Sequence, residues 1–201
     1  RCVKFSLQNI PTSKVHDYLV AIFEKKNIKF DDDALEPIAS AAFGSLRDAL
    51  SISEQVIAVS GDNSIALSTV FEILGLISSE TLESLVGAIV KNDVAEALKI
   101  SNNALSKGAS AETILNQLAT AFHEICRTKI LESVGKGQEG NVVMVDEMPV
   151  TETEANLFYQ ICLLGKRDLH LAPNELVGLH MTILRILAFL PESSLFQKKK
   201  S

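Results

Sequence analysis

Tryptophan is absent from this 201-residue chain, and aromatic residues together make up only 5% of it. Any core must therefore be aliphatic. The 47% hydrophobic content is enough to fill one domain of ordinary size, or one small and one medium domain. Glycine (10) and proline (5) are scarce, which disfavours both disorder and turn-rich β folds. The three cysteines, Cys2, Cys126 and Cys162, are odd in number and far apart, so they read as free thiols in a reducing cytoplasm. No apolar run reaches the roughly 18 residues that span a bilayer, and no apolar core follows Arg1 as in a signal peptide. With a net charge of −6 and a pI of 5.3, the chain has no basic stripe and is a poor main surface for nucleic acid.

Several chemical motifs are missing as well. A phosphate-cradling Gly-x-x-x-x-Gly-Lys-Ser/Thr loop does not occur. Gly135-Lys136 is followed by Gly137, and Ile130 stands where the first glycine is needed. The run Gly135 to Gly140 reads as a flexible connector. No acidic pair follows an apolar strand, so ATP hydrolysis by this segment alone is not expected. His123 and Cys126 stand one helical turn apart, but no second pair has ligand spacing, so a metal site is not indicated. His16, His170 and His180 are scattered without a nucleophile pattern.

What remains is almost wholly helical, and the expected fold class is all-α. Val3, Phe5 and Leu7 alternate with polar residues and predict one short strand. A helix follows Pro11-Thr12, with Val15, Leu19, Ile22 and Phe23 on one face. A second follows Asp31-Asp32-Asp33, where acids suit a helix N-terminus, although Pro37 inside it is awkward. A third opens at Gly44-Ser45, and Ser60 to Asn63 forms a turn. Further helices are expected over 64–74, 79–90, 92–107 (Asn92 as N-cap, Gly108 as stop), 110–133, 151–165 and 173–190. No repeat of fixed period is present, which excludes a solenoid. Pro191 and the lysines near Ser201 read as a fraying end or linker.

The segment Gly44-Ser45-Leu46-Arg47-Asp48-Ala49-Leu50 stands out. Ser45 fits an N-cap, and Asp48 three residues on completes a capping-box pattern. Leu46, Leu50 and Ile57 predict the buried face, which points Arg47 elsewhere. A cation in a first turn opposes the helix dipole by roughly 0.3–1 kcal/mol. Arg47 therefore suits an anion, with the free N–H groups of the first turn beside it. On the residues alone, a solvated surface arginine is the plainer reading, because first-turn arginines and capping boxes are common.

Gly44 to Ser51 also resembles the sensor-2 motif in the lid of AAA+ clamp loaders, most closely the gamma/tau subunits of bacterial DNA polymerase III. The resemblance implies that Arg47 contacts ATP phosphates from the lid. Arg1-Cys2 resembles the end of the family's Ser-Arg-Cys motif, which implies that Arg1 is an arginine finger acting in trans on a neighbouring subunit's ATP. Tyr159-Gln160, Leu163 to Arg167, Ala172-Pro173 and Met181 to Phe189 resemble the family's collar, in which Leu184, Leu187 and Ala188 fit a core and the remaining exposed apolar residues would supply an interface. Arg1 is not a natural start residue, and the chain is expected to be cut from a longer protein.

The resemblance thus implies the end of an AAA+ core at 1–10, a lid at 11–74, a collar at 76–191 and a tail at 192–201. In the full-length protein, ATP with magnesium would drive clamp loading, with no nucleotide bound tightly by this segment alone. The implied partners are delta, delta-prime and other gamma/tau copies through the collar, and the sliding clamp and primed DNA through the assembly, in the cytoplasm and without a membrane. A delta-prime subunit, or a helical oligomerisation scaffold with no nucleotide role, is the alternative.

Overall fold

Side-chain oxygens cap seven of the helices in the computed structural model, which describes residues 8–133 and 150–189. Arg1, the strand expected at 3–7 and the Gly135–Gly140 loop lie outside the described residues. The described chain is helical apart from two strands of two residues each, so the fold class is all-α. It divides into two compact units, one up to Gly75 and one from Leu76.

The first unit contains α1 (Thr12–Lys26), β1 (Lys29–Phe30), α2 (Leu35–Ala41), α3 (Leu46–Ser60), β2 (Ser64–Ile65) and α4 (Leu67–Leu74). Val15, Leu19 and Phe23 of α1 meet Leu35, Ile38 and Ala39 of α2 and Ala49 and Val56 of α3 in one aliphatic core. β1 and β2 pair in parallel, Lys29 with Ser64 and Phe30 with Ile65. Asp31 then does two jobs. Its N–H donates to the Ile65 carbonyl at 3.0 Å, and its carboxylate accepts from the Leu67 N–H at 2.8 Å. Ala66, at the N-cap of α4, has no side chain that can accept, so a residue distant in sequence supplies the cap. The acids before α2 thus serve α4 in part. Pro37 is the third residue of α2, where its missing N–H has no intrahelical acceptor to lose.

The second unit contains α5 (Ser79–Val90), α6 (Val94–Ser106), α7 (Ala111–Ser133), α8 (Glu152–Asp168), a 3-10 turn (Leu169–Leu171) and α9 (Glu175–Ala188). α7 and α8 pack along each other, and Phe122 meets Phe158 edge to face with ring centroids 5.3 Å apart. α9 packs against α5, α6, α7 and α8. Its Leu179, Ile183 and Ile186 join Leu85, Ile89, Leu115 and Leu118 in the core.

Two expectations change here. Asn92 is not the N-cap of α6; it takes φ 55° and ends α5, and the neighbouring Asp93 N–H bonds back to the Ala88 carbonyl. Asparagine tolerates this left-handed conformation, which suits it to a helix stop. The cap is Asp93, whose carboxylate accepts from the Glu96 N–H at 3.0 Å. On α9, Leu187 is buried and Leu184 partly so, but Ala188 is exposed rather than in the core.

Candidate functional site

The first turn of α3 is built by its cap. Ser45 sits in extended conformation, its hydroxyl accepts from the Asp48 N–H at 3.3 Å, and its carbonyl accepts from the Ala49 N–H at 3.0 Å. The capping box is only half formed. The Ser45 N–H is already donated to the Ala42 carbonyl at 2.9 Å, so the Asp48 carboxylate has no cap donor to meet. The N–H groups of Leu46 and Arg47 have no acceptor among the described residues.

Ala49, Ser53 and Val56 form the fully buried stripe of α3, with the Ser53 hydroxyl donating to the Ala49 carbonyl at 2.7 Å. Leu46, Leu50 and Ile57, expected on the buried face, pack against the core but are only partly buried and flank this stripe. Small residues face inward because α1 and α2 both press on this helix, and the larger ones fill its edges. Arg47 is exposed and lies across the helix from Ala49. Among the described residues no carboxylate pairs with it, whereas Arg127 pairs with Glu124 and Arg167 with Asp168, both at 2.8 Å. An unpaired guanidinium beside two free amides is a donor set that fits a phosphate.

The approach to α3 is tightly turned. Phe43 (φ 47°) and Gly44 (φ 83°) are both left-handed, and Phe43 is 85% exposed. The Gly44 carbonyl accepts from the Ile10 N–H at 3.3 Å. No periodicity could have signalled this contact, because it joins two loops. Among the described residues no group of three or more histidine, cysteine or acidic side chains is placed to hold a metal. His123 contacts Glu124, and Cys126 donates to the Glu152 carbonyl at 3.5 Å. No described helix alone is long and apolar enough to cross a membrane.

A second surface lies on the other unit. Leu163 and Leu164 of α8, Leu171 of the 3-10 turn, Met181 of α9 and Phe189 just beyond it are exposed apolar residues. A groove of about 310 Å³ runs between Leu169, Ala172, Val177 and Met181, with Asp168 and Arg185 on its lining. Such a concentration of exposed apolar side chains is what a protein interface requires.

Two family models match the chain. Residues 14–62 match "DNA polymerase III clamp loader subunit, ATPase lid domain", and residues 65–200 match "DNA polymerase III subunits gamma and tau domain III". DNA polymerase III subunit tau of Escherichia coli (strain K12) is 32% identical over 198 residues, covering 97% of this chain and 31% of that relative. DNA polymerase III subunit gamma of Buchnera aphidicola subsp. Acyrthosiphon pisum is 29% identical over 94% of this chain and 53% of its own length. The chain therefore spans about a third to a half of these relatives. A solved DNA clamp loader delta protein of Bacillus subtilis is 16% identical, covers 90% of this chain and 58% of its own, and has a TM-score of 0.48, too low to inform the fold.

Proposed function

The chain belongs to the gamma and tau subunit family of DNA polymerase III, and from that premise we propose that Arg47 senses the phosphates of ATP from the lid of an AAA+ clamp loader. One observation carries the reading: Arg47 is exposed in the first turn of a capped helix, with no carboxylate partner among the described residues. A cation there is unfavourable for the helix until an anion arrives, and a phosphate would satisfy both the guanidinium and the amides of Leu46 and Arg47. ATP binding would then draw the lid toward the nucleotide, and hydrolysis would release it.

In this reading residues 11–74 form the lid and 76–191 the collar, a division supported by their separate aliphatic cores. The ATP itself, with its magnesium, is held by the preceding AAA+ core, to which Arg47 adds a contact. Arg1 acts as the arginine finger toward the neighbouring subunit's ATP, a role that rests on the Arg1-Cys2 motif. The exposed apolar residues of α8 and α9 supply the collar surface for delta, delta-prime and other gamma/tau copies. The assembled ring opens the sliding clamp and places it on primed DNA in the cytoplasm.

Two experiments test the proposal. Full-length protein carrying Arg47→Ala should lose ATP-dependent clamp loading; wild-type loading would remove the sensor role. The chain mixed with delta and delta-prime should co-elute with them in size exclusion. Separate elution under all conditions would remove the collar reading.

A further inference from the structure

We propose that Gly44 is a positioning residue for Arg47, locking the start of α3 to the chain that leads into α1. The inference rests on the reading of Arg47 as a nucleotide sensor. Two independent demands fall on Gly44. Its φ of +83° lies in the left-handed region, where a side chain is strained. It also sits against Asn9 and Ile10. A Cβ placed on it would lie 2.7 Å from the Ile10 carbonyl oxygen, and 2.9 Å from both the Ile10 nitrogen and the Asn9 Cβ. Two of those three atoms are backbone, so they cannot rotate away.

The Ile10 N–H closes the contact by donating to the Gly44 carbonyl at 3.3 Å. Pro11 follows at once, and its carbonyl accepts from the Lys14 and Val15 N–H groups to start α1. A proline fixes its own φ, so this lead-in is stiff. Ser45 is held from behind as well, through its N–H to Ala42. Arg47 follows two residues after Ser45, in the first turn of the same helix. A shift at Gly44 is therefore passed to the guanidinium, and an ångström of misplacement at a reacting group can cost roughly a hundredfold in rate.

The same helix carries its own control. Gly61, at the other end of α3, has φ +70°, yet a Cβ there would meet nothing within 4 Å. Gly61 is needed for its backbone conformation alone, whereas Gly44 is needed for conformation and close approach together.

The test uses full-length protein with Gly44→Ala, Gly61→Ala, Arg47→Ala and the Gly44→Ala/Arg47→Ala double variant. The thermal midpoint, affinity for a fluorescent ATP analogue and ATP-dependent clamp loading are read for each. Both glycine variants should lower the midpoint, Gly44→Ala by more because its Cβ also meets the Ile10 backbone. Only Gly44→Ala should also weaken ATP affinity and loading, by roughly tenfold or more, and it should add little in the Arg47→Ala background. Should Gly44→Ala fail to fold, Gly44→Asn replaces it, since asparagine tolerates the left-handed region while still placing a Cβ against Ile10. Equal loading by the Gly44 and Gly61 variants would overturn the proposal, as would additive effects of Gly44→Ala and Arg47→Ala. An unimpaired Arg47→Ala protein would instead overturn the sensor reading itself.

Discussion

Gln117 holds Ile77 by both of its backbone polar groups. The Ile77 N–H donates to Gln117 Oε1 at 3.0 Å, and Gln117 Nε2 donates to the Ile77 carbonyl at 2.9 Å. Ile77 precedes the Ser78 cap of α5 and is itself buried. One amide side chain on α7 thus ties down the segment that leads into the second unit's first helix.

Replacing Gln117 by Leu leaves both Ile77 groups partly buried and unpaired. A group so stranded costs about 1–3 kcal/mol. Urea unfolding should show a lower midpoint with unchanged slope. Gln117→Glu, which keeps the acceptor for the Ile77 N–H and loses the donor, should fall between. Wild-type stability of Gln117→Leu would mean that water replaces the amide at no cost.

α8 and α9 cross at Gly165 and Thr182. A Cβ on Gly165 would overlap the Thr182 side chain, with Thr182 Cβ at 2.9 Å. Thr182 is itself buried and donates its hydroxyl to the Gly178 carbonyl at 2.9 Å, so it has little room to move. Gly165→Ala should therefore cost about 1–3 kcal/mol by overpacking. Combined with Thr182→Ala, the two losses should sum to more than the double variant shows, with a coupling of about 0.5–3 kcal/mol. Strict additivity in thermal melts would contradict the crossing described.

His180 supplies a pH dependence. Burial lowers its pKa, and its Nε2 has no hydrogen-bond partner among the described residues. A histidine whose folded pKa is depressed contributes stability above its unfolded value of about 6.5 and loses it as pH falls. The midpoint should drop as pH falls below about 6.5, and His180→Gln should flatten part of that slope. The exposed Arg167–Asp168 pair also holds Asp168 below its usual range, but solvent screens it and its share is small. An identical slope in His180→Gln would show that other groups carry the effect.

The helical class was legible because aliphatic periodicity repeats along nearly the whole chain, and Ser79 to Val90 falls where its pattern and flanking residues put it. Ser45 was legible as a cap because capping is local: the oxygen and the N–H it serves lie three residues apart. What was hidden depends on distant partners. Asp31 caps α4 only because β1 and β2 pair and bring it to Leu67. The inward face of α3 is centred on Ala49, Ser53 and Val56 because neighbouring helices leave space for small residues only, a fact the leucine pattern alone conceals. The Gly44–Ile10 contact was hidden for the same reason, since two irregular segments meet there without any periodic signal.

The most direct test of the central claim is the affinity of the full-length protein for ATP with and without the Arg47 guanidinium. A hydrogen bond to a charged group is worth about 1.5–3 kcal/mol, or roughly a tenfold to hundredfold change in binding. Titration of a fluorescent ATP analogue should show Arg47→Ala binding weaker by that factor, with the thermal midpoint of the nucleotide-free protein unchanged or slightly raised by loss of the unfavourable first-turn cation. Equal affinities for wild type and Arg47→Ala would contradict the account, leaving Arg47 a solvated surface residue.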